Sequence, residues 1–200
     1  MNTANLNRIN LSKYQVLILP NGYRASEKNL NKLSSFAVNG GKIIALGNSV
    51  NNFADKDGFD LKKQESEEDE DSKQQLNLIP FDQQEKEQIK NTITGSIFKS
   101  TVDASHPLAF GYEHNFYSLK QSSASYQLLE SGYNVAYFPE NFEHVSGYAG
   151  SNALKNIPNS LLIGTERKGR GTIIYMIDNP LFRSFWENGK LFFVNAVFLN

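Results

Sequence analysis

Three stretches of this 200-residue chain carry side chains able to do chemistry. Gly47-Asn48-Ser49-Val50-Asn51 follows the apolar run Lys42 to Leu46 and offers Gly-x-Ser where a strand would turn toward a helix. A serine held on such a turn is exposed for attack on a carbonyl once a base takes its proton. Asn51, however, occupies the place of the second glycine of Gly-x-Ser-x-Gly, where a tight elbow leaves no room for a side chain. Ser49 is therefore either a nucleophile or a turn and cap residue. In Asp103-Ala-Ser-His-Pro-Leu-Ala-Phe-Gly111, His106 reads as a general base held by Asp103, or as part of a capped turn opened by Pro107. The third stretch, Asp178-Asn-Pro-Leu-Phe-Arg-Ser-Phe-Trp186, follows a strand at the edge where open α/β sheets bind ligands. Arg183 among Phe182, Phe185 and Trp186 suits a carboxylate or an aromatic ring, or else caps carbonyls under the final helix. Ser49 and His106 are thus the catalytic candidates; Asn48, His106 and Arg183 are the ligand-binding ones.

Composition removes several other chemistries. The chain has no cysteine, hence no thiolate nucleophile, thiolate metal site or disulfide, and having only three histidines argues against a multi-histidine metal cage. His114 and His144 each follow a glutamate, but adjacent residues do not share a face, so these are not metal pairs and no metal site is expected. Gly169-Arg170-Gly171 connects two strands and opens no helix, which takes away the N-terminus that makes glycine loops bind phosphate. The net charge is -1, and six of the 21 acids lie between Glu65 and Asp71, leaving 15 acids against 20 bases elsewhere. That surplus is too diffuse for nucleic acid. The start lacks a basic region followed by an apolar one, and no apolar run is long enough for a membrane span.

The elements that must position these residues follow from periodicity. Tyr14 to Pro20 and Lys42 to Leu46 are short continuous apolar runs, the pattern of strands buried on both faces. Between them Ser26 caps a helix with Leu30, Leu33, Phe36 and Ala37 on one side, ended by Gly40-Gly41, which completes a βαβ crossover. Residues 55–73 are almost wholly polar and read as a mobile acidic insertion on the surface. Asp82 and Glu85 form a capping box for a short helix reaching about Asn91. Ser96 to Val102, Phe116 to Leu119, Tyr126 to Leu129 and Asn134 to Phe138 read as strands, and Leu161 to Glu166 with Thr172 to Ile177 as an antiparallel hairpin. Lys190 to Leu199, apolar nearly all round, reads as a helix packed deep against the sheet.

Taken in order, Leu17-Ile-Leu-Pro-Asn-Gly, Gly40-Gly-Lys-Ile-Ile-Ala-Leu-Gly, Ser105-His-Pro-Leu-Ala-Phe-Gly, Gly169-Arg-Gly-Thr-Ile-Ile and Asp178-Asn-Pro-Leu-Phe-Arg-Ser-Phe-Trp with Asn195-Ala resemble one family. It is the C-terminal domain of bacterial zinc carboxypeptidases of the M14, carboxypeptidase A-like group, which is similar to class I glutamine amidotransferases. The resemblance implies an α/β, flavodoxin-like three-layer sandwich with a mainly parallel sheet and an antiparallel hairpin near the C-terminus. It also implies a single domain over 1–200, a fragment of a longer chain whose central strand lies upstream. The amidotransferase cysteine would fall at Gly47, Asn48 or Ser49, and the histidine and glutamate at Asp178-Asn179-Pro180, so neither half of the triad is present. The chain is then a non-catalytic accessory domain that assists folding, positioning or peptide selection. Its partner is the peptidase domain of the parent, which would hold the zinc; this chain itself needs no cofactor, and the parent would lie in the periplasm or at the cell surface. A ligand-binding module using the strand-end rim, and a residual serine hydrolase using Ser49, are the alternatives.

Overall fold

The computed structural model describes Leu6, residues 8–64 and residues 80–199. Strand β1 (Val16–Leu19) leads through helix α1 (Glu27–Val38) to β2 (Lys42–Leu46), and a 3-10 turn over Gly47–Asn52 follows. After α2 (Phe81–Lys90) come β3 (Ser96–Val102), β4 (Asn115–Lys120), β5 (Tyr133–Phe138), β6 (Glu143–Ser146) and the short α3 (Ser151–Lys155). Strands β7 (Ser160–Lys168) and β8 (Gly171–Met176) precede the last helix, α4 (Glu187–Phe198). All eight strands join one sheet in the order β1-β2-β8-β7-β5-β3-β4, with β6 paired beside β3.

The crossover at the start forms as its pattern dictates. The Ser26 hydroxyl accepts the Asn29 N–H at 3.3 Å, and Leu33, Phe36 and Ala37 turn inward from α1. Along β2, Ile43 and Ala45 enter the core beneath α1, whereas Ile44 and Leu46 enter a second core that contains Phe192 of α4. A strand that feeds two cores must be apolar throughout. Strands β3 and β4 instead alternate: Phe98 and Val102, like Phe116, Ser118 and Lys120, face inward while their neighbours are more exposed.

The sheet is mixed, not mainly parallel as expected. Only β1 with β2 and β2 with β8 run parallel; β8 with β7, β7 with β5, and β3 with β5, β4 and β6 are antiparallel. The β7–β8 hairpin is the point of reversal. Its two-residue turn starts with Gly169 at φ +60°, the left-handed conformation that lets such a turn match the twist of its strands. The sheet also curls. Four strand spacings separate β8 from β4, about 19 Å if flat, yet the Ser118 hydroxyl of β4 lies 2.5 Å from Asp178, two residues past β8.

Several local expectations need correction. Helix α2 starts at Phe81 with Pro80 as its N-cap and no side-chain cap bond, so the N-cap position does not fall at Asp82. Tyr126 to Leu129 makes isolated bridges, Tyr126 with Lys63 and Gln127 with Ser160, and is not a strand. Residues 55–58, 62 and 63 are exposed, but this stretch is anchored: Leu61 is fully buried and Phe59 packs against the core under α1. They are pinned by Glu166, whose Oε2 accepts the Asp60 N–H at 3.0 Å and the Tyr175 hydroxyl at 2.7 Å. Residues 65–73, the rest of the expected acidic insertion, lie outside the described residues. Helix α4 does pack on the sheet, but only through one side.

Candidate functional site

The turn after β2 is built around a glycine and an asparagine. Gly47, directly after the strand, takes φ +54°, and a Cβ there would stand 2.6 Å from Oδ1 of Asn21. Asn21 comes from the Pro20-Asn21-Gly22 turn after β1 and accepts the Asn48 N–H at 2.9 Å. The position from which an elbow residue would project is therefore filled by a neighbouring amide. Ser49 is wholly buried, and its hydroxyl lies 3.0 Å and 2.9 Å from the Leu19 and Leu46 carbonyl oxygens. It is turned into the protein, where it ties the ends of β1 and β2 together. Asn48 alone of this turn's candidates is exposed.

His106 stands elsewhere. Two parallel pairings keep the C-terminal ends of β1, β2 and β8 on one edge of the sheet, but β3 is separated from β8 by three antiparallel pairings. Three reversals leave the end of β3, and with it His106, at the opposite edge. The expected rim of Asn48, His106 and Arg183 is thus divided, with Asn48 and Arg183 on one edge and His106 on the other. There His106 caps a 3-10 turn over Pro107–Ala109, its Nδ1 accepting the Leu108 N–H at 3.1 Å. Asp103 does not hold the imidazole; its Oδ1 accepts the N–H and hydroxyl of Ser105 at 3.0 and 2.6 Å. Those bonds lower the Asp103 pKa, and burial lowers that of His106 despite the opposing pull of Asp103.

The edge that carries Asn48 and Arg183 also holds a charged cluster that was not anticipated. Asp178 accepts the Ser118 hydroxyl at 2.5 Å, and Lys120 places its ammonium 3.7 Å from the same carboxylate and 2.6 Å from the Ala124 carbonyl oxygen. The Lys120 and Asp178 side chains are 2% and 7% exposed, so neither charge is compensated by water. Beside them Phe116, Leu162, Asn179, Pro180 and Trp186 line a narrow crevice with room for little more than a water molecule. The signal was present in the alternation of β4: a face that reads Phe116, Ser118, Lys120 puts a lysine on the core side, and such a lysine demands an acid.

The loop from Asp178 to Trp186 lies above this crevice. Arg183 and Ser184 both take left-handed conformations, φ +48° and +58°, which cost a non-glycine residue of order 1 kcal/mol each. Arg183 does not cap the final helix; its guanidinium is exposed, 5.2 Å from the Phe182 ring. Trp186 Nε1 and Asn188 Nδ2 both donate to the Tyr117 carbonyl, fastening the end of the loop to β4.

With this geometry the chain can be set beside known proteins. No family model matches it, and no curated protein sequence matches it. Among solved structures it is similar to a ThuA-like protein from Parabacteroides merdae ATCC 43184, with TM-score 0.55 and 15% identity over 94% of this chain and 71% of that one. A ThuA-like protein from Bacteroides uniformis ATCC 8492 gives TM-score 0.51 and 13% identity, covering 98% of this chain and 74% of that one. A β-galactosidase from Bacillus circulans sp. alkalophilus gives TM-score 0.53 and 11% identity over 92% of this chain. The chain spans 22% of that β-galactosidase. ThuA-like proteins have the class I glutamine amidotransferase-like fold, so the molecule is an α/β domain of that general kind with a mixed, curled sheet. The same neighbours overturn the expected relation to M14 zinc carboxypeptidases, and the hydrolase and peptidase assignments fall with it.

Proposed function

We propose that this chain is a non-catalytic, flavodoxin-like domain of the amidotransferase type that serves as an accessory or ligand-binding module. The observation that carries the reading is Asn21 lying over Gly47, which fills the elbow from which a nucleophile would act. The inward Ser49 hydroxyl agrees with it, as does Asp178, whose carboxylate is engaged by Ser118 and Lys120 at the end of β8. Likeness to about a fifth of a β-galactosidase chain supports the notion of a module, since there the same general fold forms one part of a longer polypeptide.

The test is direct. The protein is incubated with a fluorophosphonate probe and, separately, with saturating glutamine. Neither serine labelling nor glutamate release is expected. Labelling or turnover that vanishes in Ser49→Ala would overturn the reading.

The strained Arg183-Ser184 pair at the ligand edge favours binding as the module's task, because strain of this kind collects at functional loops. A thermal-shift screen with small carboxylates and amino acids, run on the native chain and on Arg183→Ala, checks this. A shift that disappears in the variant supports it; no shift with any compound leaves the accessory reading alone.

A further inference from the structure

We propose that Asn21-Gly22 is a self-modification site, at which loss of ammonia from the Asn21 side chain undoes the contact over Gly47. Asparagine is thermally labile. Its side-chain carbonyl carbon is open to attack by the backbone nitrogen of the next residue, above all when that residue is glycine and no Cβ stands in the way. The sequence holds three Asn-Gly pairs, Asn21-Gly22, Asn39-Gly40 and Asn188-Gly189. All three asparagines are exposed, so exposure does not choose between them.

Hydrogen bonding does choose. Gly40 donates its N–H to the Ala37 carbonyl at 2.9 Å, and Asn39 Nδ2 donates to the Ser35 carbonyl at 2.8 Å. Gly189 donates to the Trp186 carbonyl at 3.2 Å and is packed against Pro180, while Asn188 Nδ2 donates to the Tyr117 carbonyl at 3.1 Å. In both pairs the attacking and the leaving nitrogen are engaged. At the first pair neither the Gly22 N–H nor Asn21 Nδ2 bonds to any described residue. Gly22 has φ +85° in a turn closed by the Tyr23 N–H on the Pro20 carbonyl at 3.0 Å, and the space where its Cβ would stand is open. The Asn48 N–H donates at 2.9 Å to Asn21 Oδ1, the atom on which negative charge gathers as Cγ becomes tetrahedral. A backbone donor at that position stabilises the charge.

The step involves no oxidation or reduction. Gly22 N gives its proton to a solvent base and bonds Cγ; the Cγ–Nδ2 bond breaks, and the nitrogen takes a proton from water and departs as ammonia. Water then opens the cyclic imide at either carbonyl. Opening at Cγ gives aspartate, which still carries an acceptor for the Asn48 N–H. Opening at the former main-chain carbonyl gives isoaspartate, in which Cβ and Cγ have joined the backbone and the side-chain amide over Gly47 no longer exists.

The whole native chain is held at mildly alkaline pH, and peptide mapping by mass spectrometry follows each site while ammonia release is measured alongside. Asn21 should convert at least about tenfold faster than Asn39 or Asn188. Synthetic peptides spanning the same three sites remove the effect of local sequence: Asn39 and Asn188 should lag behind their peptides, and Asn21 should match or outrun its own. Hydrogen exchange at the Asn48 N–H should quicken in the purified isoaspartate form and stay slow in Asn21→Asp, which keeps an acceptor. Equal conversion at the three sites, or an Asn21 that lags its peptide as far as the others do, would overturn the site. An Asn48 amide that stays protected in the isoaspartate form would overturn the loss of the contact over Gly47.

Discussion

Asn21 lies across Gly47, its side-chain oxygen 2.6 Å from the point where a Cβ would stand. One contact thus joins the turns that follow β1 and β2 and closes the elbow to any side chain. It makes Gly47 obligatory for two separate reasons, a left-handed φ of +54° and a lack of space.

These two reasons can be separated. Gly47→Ala should cost about 2 kcal/mol, with roughly half from the left-handed conformation and the rest from displacing Asn21. Asn21→Ala in the same chain should recover only the second part, so the double-mutant cycle should show a positive coupling. Denaturant midpoints measure it. A neutral Gly47→Ala would mean the elbow is open, and the argument against a nucleophile there would lose its basis.

Asp178→Ala should be among the most harmful single changes, since it strands the buried Lys120 ammonium and removes the Ser118 acceptor. Breaking one side of a buried pair costs about 3 kcal/mol or more. Lys120→Met with Asp178→Leu should be milder than Asp178→Ala alone, because no charge is then left in the core. Urea unfolding of the three variants checks the order, and a double variant worse than the single would contradict it.

Tyrosines that burial keeps protonated set the alkaline limit, among them the fully buried Tyr126 and Tyr175 and the half-buried Tyr112. Burial pushes Tyr112 and Tyr126 up to about 12, and burial together with the Glu166 carboxylate raises Tyr175 well above the ordinary 10. Each folded pKa lies above the unfolded one, so the unfolded chain releases the proton first. Stability is full below pH 10 and falls as pH rises from 10 toward the folded values. For the buried Tyr126 the slope approaches about 1.4 kcal/mol per pH unit. Tyr126→Phe should therefore flatten the fall in melting temperature between pH 10 and 12; an unchanged slope would show that this group is not held protonated.

His106 acts on the acid side. Its folded pKa is lowered by burial, so below pH 6.5 the unfolded chain takes up the proton first and stability declines as pH falls. The proton also competes for Nδ1, which accepts the Leu108 N–H. The effect should be small for a half-buried ring and absent in His106→Asn, which keeps a cap acceptor. Melting curves from pH 7.5 to 5 test the difference between the two chains.

Much of the first crossover is legible in the residues alone. Ser26, the inward face of α1 and the continuous apolar β2 are local patterns, and local patterns survive folding because each is decided by neighbours within a few residues. The β7–β8 hairpin is legible for the same reason, through Gly169 at its turn. The paired charges of β4 were legible only in part: alternation exposes Lys120 as an oddity, but nothing in the chain between it and Asp178 says that the two meet.

What the residues fixed without help is therefore the set of elements near the start, the late hairpin and the lack of cysteine chemistry. Tertiary structure decided which edge of the sheet each loop reaches. Every antiparallel pairing reverses the direction of a strand, and pairings are made between segments far apart in sequence, so no local signal could place His106 on the edge opposite Asn48 and Arg183. The curl of the sheet is equally non-local. It brings Ser118 of β4 against Asp178, and without it Lys120 would have no acid to offset its burial.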